Sequence, residues 1–125
     1  LGFKNYGIQG NNVDMSDRDS KISFSTFPVF GVYMPDAIVN LRFNGKTYLL
    51  TANEGDAREY TGFAEIKRLN QVLLDPTAFP NAAALRADPV LGRLNITTTL
   101  GDKDKDGDFE EIYSLGSRYQ WQYWS

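Results

Sequence analysis

The stretch that decides the fold is "DAIVNLRF" (Asp36–Phe43), followed by Asn44-Gly45 and then "KTYLLTA" (Lys46–Ala52). Two runs rich in β-branched and aromatic residues, joined by Asn-Gly, predict a β-hairpin. Both central positions of a type I′ turn need φ > 0, and this dipeptide tolerates that best. Ile38, Leu41 and Phe43 do not keep a perfect period of two, so both faces of the hairpin are expected to be partly covered.

Outward from the hairpin, "KISFSTF" (Lys21–Phe27) alternates like a strand, Gly10 to Asn12 and Asp14 to Ser20 read as loop, and Leu1 to Ile8 reads as a weak strand. Ala64 to Leu69 has short helical spacing, and Asn81 is placed to cap a helical turn through Ala82–Leu85. Pro76, Pro80 and Pro89 prevent a long helix, so Glu54 to Leu94 reads as an extended insertion with short elements. Thr97–Thr99 resumes β preference, and Glu111–Leu115 with Arg118–Trp124 read as a second hairpin around Gly116-Ser117. The sum is six or seven strands and little helix, a mainly β chain. Short antiparallel strands joined by polar turns suit a segment of a β-propeller, with four-stranded antiparallel blades and a long loop insertion containing short helices. A free-standing sandwich is the other architecture of this pattern.

Composition narrows the chemistry. The 125 residues include neither His nor Cys. That excludes, within this chain, zinc fingers, thiol nucleophiles, disulfides and a Ser-His-Asp triad, and it leaves oxygen as the ligand for any metal. A net charge of −3 lacks the basic footprint of nucleic-acid binding. There is no apolar run of membrane-spanning length.

The sharpest motif is "GDKDKDGDFEE" (Gly101–Glu111), which holds six of the sixteen acids, carries a net −4 and leaves the rest of the chain at +1. Such crowding is unfavourable unless a cation or solvent relieves it. Carboxylates at alternate positions followed by Gly are what a calcium loop requires, because they converge on an ion while Gly permits the turn behind them. An EF-hand would demand Glu at its twelfth position, which here is Tyr113. The shorter loop joining two strands fits instead, with Asp102, Asp104, Asp106 and Glu110 as side-chain ligands to Ca²⁺ and the Asp108 carbonyl as a fifth. Lys103 and Lys105 fall on the side away from the ligands. The plain alternative is a solvated acidic turn.

A second constellation, Asn53, Glu54, Asp56 and Arg58, follows the second strand of the hairpin, with Asp36 placed to approach from the neighbouring strand. Polar clusters at strand ends build sites, although an Asp–Arg pair in a loop is as often a structural tie. Asn95-Ile96-Thr97 is an N-glycosylation sequon. Tyr119, Trp121 and Tyr123 repeat at period two, which reads as one buried sheet face rather than a sugar-binding platform.

The chain resembles the choice-of-anchor I propeller family, which includes mesenchyme-specific cell-surface glycoproteins of mineralising animals and bacterial surface proteins labelled alkaline phosphatase-like. The resemblance rests on "GNNVDMSDRD", "FPVFGVYMPDAI", "GKTYLLTANEGDAREY", "LGRLNITTTLGDKDKDGDFEEIYSLGSR" and "YQWQYW". It implies an extracellular or cell-surface protein longer than this chain, glycosylated and in calcium-rich surroundings in the animal branch, with a structural or interaction role linked to biomineralisation. The alternative is a metal-dependent phosphomonoesterase whose ions would lie near Glu54 and Asp56. No catalytic nucleophile is identified. The aromatic edge beyond Arg118 carries no charge or Pro to blunt it. Residues 1–125 are therefore expected to be a partial propeller, completed by further blades of the same chain or by an associated chain. Extracellular matrix or mineral is the other partner the resemblance implies.

Overall fold

The computed structural model describes residues 2–117 and the backbone of 121–124. Among the described residues, twelve strands dominate. In the first half they are β1 (Phe3–Asn5), β2 (Val29–Val32), β3 (Pro35–Phe43), β4 (Lys46–Asn53), β5 (Glu59–Tyr60) and β6 (Phe63–Ala64). In the second half they are β7 (Ile66–Arg68), β8 (Leu73–Leu74), β9 (Asn95–Thr97), β10 (Asp108–Phe109), β11 (Ile112–Leu115) and β12 (Trp121–Trp124). Among the described residues, helix is confined to α1 (Ala82–Leu85), a 3₁₀ turn at Leu69–Gln71 and a π turn at Asp88–Gly92. Among the described residues, no helix is long and apolar enough to cross a membrane.

The hairpin forms as the sequence predicts. Phe43 faces Lys46 across a two-residue turn, with Asn44 at φ 50° and Gly45 at φ 73°. Both values lie in the left-handed region that the type I′ turn requires. The ladder then runs unbroken from Phe43 back to Ala37, and one extra residue, Asp36, is accommodated by a bulge before Pro35 meets Asn53.

The core lies elsewhere. β2 is the centre of a three-stranded sheet, antiparallel to β1 and parallel to β11, with Val29 directly opposite Ile112 and neither exposed to solvent. Both strands alternate buried and half-buried residues, the period that one covered face requires. On the other face, Tyr113 stacks against Phe30 at 5.2 Å and meets Phe3 edge-on at 4.9 Å. Beneath the buried face, Leu69, Val72, Leu74, Phe79, Leu85, Leu91, Ile96 and Phe109 complete one apolar cluster with Tyr6. Gly31 in β2 is obligatory for this packing. A Cβ there would come within 2.8 Å of the Tyr6 ring and of the Ser117 Cβ.

Several expectations are corrected. Lys21–Phe27 forms no strand beyond a single bridge, Val13 to Ser25. Of its apolar residues only Phe27 packs against the core, and Ile22 and Phe24 stay exposed. Ala64–Arg68 is not helical, and Leu69 only opens the 3₁₀ turn. Ile66–Arg68 pairs instead with Asn95–Thr97, because cross-strand partners outweigh a weak local preference. The second hairpin is not formed: β11 joins β2, whereas β12 lies antiparallel to β4 in a different sheet. Gly116 does adopt φ 74°, but it uses that freedom to approach Gly55 rather than to reverse a strand. Strands are more numerous than six or seven because many contain only two or three residues. Asn81 does precede α1, although its side chain makes no capping bond. The sheets contain two or three strands, so a four-stranded blade is not found among the described residues. The reading of Tyr119, Trp121 and Tyr123 as one buried face lies outside the described residues and side chains.

Candidate functional site

The acidic loop is pinned at both ends by the core. Phe109 is buried, and β10 pairs with β8 in parallel, Asp108 opposite Leu73. The N–H groups of Glu110 and Glu111 both donate to the Gly101 carbonyl, at 3.0 and 3.2 Å, which closes the loop on itself. Gly101 has φ 103° and sits so close to the returning chain that a Cβ would lie 2.2 Å from the Glu111 carbonyl oxygen. Gly107 turns at φ 104°, as the alternate-acid pattern anticipates.

Within this frame the carboxylates converge. Ligand oxygens of Asp102, Asp104 and Asp106 all lie within 4.8 Å of one another, and so do those of Asp106, Asp108 and Glu110. Asp106 belongs to both groups. The loop backbone folds around them: Gly107 N–H donates to Asp102 Oδ2 at 3.2 Å, Asp106 N–H to Asp104 Oδ1 at 3.3 Å and Asp108 N–H to Asp106 Oδ1 at 3.1 Å. Lys103 N–H donates to Glu110 Oε2 at 2.6 Å. Two further oxygens, Asp102 Oδ1 and Asp108 Oδ1, are buried without a hydrogen-bond partner. Burial, and then the charges of Asp106, Asp75, Glu110 and Asp104, raise the Asp108 pKa above the ordinary carboxylate value.

The sixth acid is excluded from the group. Glu111 takes the Lys103 ammonium at 2.6 Å and the Tyr113 hydroxyl at 2.6 Å, and these bonds lower its pKa. Lys103 thus turns its charge away from the converging oxygens, as the alternation predicts. The donor set fits a hard cation. Calcium takes six to eight oxygens at about 2.3–2.6 Å, and five carboxylates with two unpartnered buried oxygens supply donors of that kind.

The second constellation is divided by the fold. Asp36, Glu54 and Asp56, with Met34, Pro35 and Gly55, line an open cavity of about 410 Å³ at the end of the hairpin. Asn53 is instead tied to the body of the molecule, its side-chain amide donating to the Ser117 carbonyl at 2.9 Å. Asp56 accepts the Ala57 N–H at 2.8 Å. Arg58, expected beside Asp56, turns to Glu65: Nε meets Oε2 at 2.8 Å, and a second guanidinium nitrogen meets Oε1 at 3.2 Å. Asp56 and Arg58 are thus both hydrogen-bonded, but not to each other.

Glu65 is the residue that the sequence reading missed. It is 7% exposed and accepts bonds from Arg58, Thr97 Oγ1 at 3.0 Å and Thr99 Oγ1 at 3.1 Å. The Arg58 bond, opposed by burial and aided by the threonines, holds its pKa down at about 2. An isolated acid inside "FAEIKRL" gives no hint of this, since the threonines stand 32 and 34 residues away. Asn95, in the sequon, is exposed on β9.

These features define a mainly β chain with two acidic groups on surface loops and one buried carboxylate, Glu65. Residues 1–119 match the choice-of-anchor I domain, and the chain belongs to that family, whose name suggests a cell-surface or secreted protein. Comparisons with curated proteins and with solved structures gave no match.

Proposed function

We propose that this protein is an extracellular calcium-binding surface or matrix glycoprotein with a structural or interaction role. The observation that carries this reading is the pair of carboxylate groups that share Asp106, one with Asp102 and Asp104 and one with Asp108 and Glu110, together with two buried oxygens left unpartnered. One Ca²⁺ held there would offset the repulsion among five carboxylates and stiffen the connection into β11. Asn95, exposed within its sequon, would carry the glycan. The family membership supports a surface setting; in this reading the chain is part of a propeller and acts next to matrix or mineral.

Isothermal titration of the intact protein with CaCl₂ should give one site per chain and a raised unfolding temperature that EGTA reverses. Asp106→Asn, which touches both carboxylate groups, should weaken binding at least tenfold. Neither heat nor thermal shift at millimolar calcium would overturn the reading.

The alternative is a metal-dependent phosphomonoesterase. Its support is the cavity lined by Asp36, Glu54 and Asp56, where a carboxylate-held ion would polarise a phosphoryl group. Hydrolysis of p-nitrophenyl phosphate that is lost in Glu54→Gln and Asp56→Asn would put this reading in place of the first.

A further inference from the structure

We propose that the cavity lined by β1 and by the chain from Asn12 to Phe24 binds a neutral saccharide. Its volume is about 530 Å³, within the ~300–1,000 Å³ of small-molecule sites. Ile22 and Phe24 are 85% and 66% exposed, and both line this cavity. They are the two apolar residues of Lys21–Phe27 that the core does not take, so the cavity accounts for side chains that folding leaves uncovered.

One antiparallel bridge brings the lining together. Val13 and Ser25 exchange both backbone bonds, N–H to carbonyl at 2.9 and 3.1 Å. Side chains alternate across such a pair. Val13 packs against the core, and its neighbours Asn12 and Asp14 share the opposite face with Phe24 and, two residues away, Ile22. The wall is braced without a ligand. Ser23 N–H donates to Asp14 Oδ2 at 3.2 Å, the Ser16 hydroxyl donates to the Pro89 carbonyl at 3.0 Å, and Arg93 Nε meets Asp17 at 2.9 Å.

The lining selects the class of ligand. Lys4 and Asp14 bring one charge of each sign, so a ligand with net charge of either sign meets a like charge. The Lys4 ammonium is held over the Tyr6 ring, 5.4 Å from its centre. A hydrocarbon would cover Asn12 and Asp14 and leave them unpaired. Among the described residues, Asp14 Oδ1 and the Asn12 amide nitrogen make no hydrogen bond, because each side chain uses only its other polar atom. They offer an acceptor and two donors beside an exposed aromatic ring. A pyranose meets all of these conditions: it is uncharged, its hydroxyls both donate and accept, and its C–H face packs on a ring such as Phe24. None of these groups belongs to the acidic loop, so the inference stands apart from the calcium reading.

Saturation-transfer NMR on the intact protein tests this, with the methyl glycosides of glucose, galactose, mannose and N-acetylglucosamine as probes, in calcium and in EGTA. At least one probe should receive saturation in both conditions, strongest at its ring C–H protons, with a millimolar dissociation constant. Phe24→Ala and Asp14→Asn should each weaken that binding at least tenfold, whereas Phe43→Ala, an exposed aromatic of β3, should leave it unchanged. Phe24 is exposed, and Asn at position 14 keeps an oxygen for Ser23 N–H, so circular dichroism of each variant should match the parent. Absence of transfer to all four glycosides would overturn the proposal, as would binding that survives Phe24→Ala. Transfer to free leucine in place of the glycosides would overturn it too, by assigning the cavity to a zwitterion.

Discussion

Ile112 and Leu41 are aliphatic strand residues of equal size, yet Ile112 is fully buried while Leu41 is 44% exposed. They stand for two regions held together in different ways. The body of the molecule, around β2 and β11, is specified by side chains that meet from distant parts of the chain. The hairpin of β3 and β4 is specified by a local turn and a ladder that is regular from Phe43 to Ala37, and it covers little of its own apolar surface. Backbone geometry can therefore define an element whose energetic contribution to the rest is small.

The largest test of that contrast is truncation in the body. Ile112→Ala, or Leu91→Ala, should cost about 2–5 kcal/mol by urea unfolding, the usual range for an aliphatic side chain lost from a packed core. Leu41→Ala in dilute protein should stay within about 0.5 kcal/mol, as exposed substitutions do. Equal costs would mean that the hairpin is packed as firmly as the core.

A second test uses the Glu65 network, which belongs to the body although Arg58 reaches it from the loop after β4. Glu65→Ala leaves the Thr97 and Thr99 hydroxyls without their acceptor, while the exposed Arg58 turns to water, so it should cost about 1–3 kcal/mol, the usual range for orphaned buried polar groups. The pH dependence has a definite sign. Because the folded-state pKa of about 2 lies below the ordinary 4.5, the Glu65 contribution is complete above pH 4.5 and fades as pH falls toward 2. Thermal melts of parent and Glu65→Ala should converge over that window. If they stay parallel, the carboxylate is not what Arg58, Thr97 and Thr99 stabilise.

The smallest effect belongs to the turn itself. Gly45→Val should cost about 1 kcal/mol, because a β-branched side chain resists φ 73°. Amide exchange should accelerate in β3 and β4 while β2 and β11 are unaffected. Acceleration throughout would show that the two regions unfold as one.

The same contrast explains what was legible in the sequence. Asn44-Gly45 announces its turn because the constraint lies in two adjacent residues, and the alternate acids from Asp102 to Glu110 announce a converging loop for the same reason. Glu65 was invisible because each of its threonine partners is more than thirty residues away. The parallel pairing of β2 with β11 was equally hidden: nothing in "VFGV" names "IYSL" as its neighbour. Gly116 misled in an instructive way. Its positive φ was readable as a need for glycine, but the need came from Gly55, sixty-one positions earlier, where a Cβ would lie 2.8 Å from the Gly116 nitrogen.

The pairing of Val29 with Ile112 also sets an order of events during synthesis. Once Ala52 has left the ribosome, the hairpin can close in about 1–10 μs. β2 has by then already emerged, but its parallel neighbour is still untranslated. At about 5–20 residues per second, β2 waits on the order of 4–17 s for β11. Throughout that interval the nascent chain displays a finished arm beside an unfinished body, and the acidic loop is the last segment to emerge before the body can close.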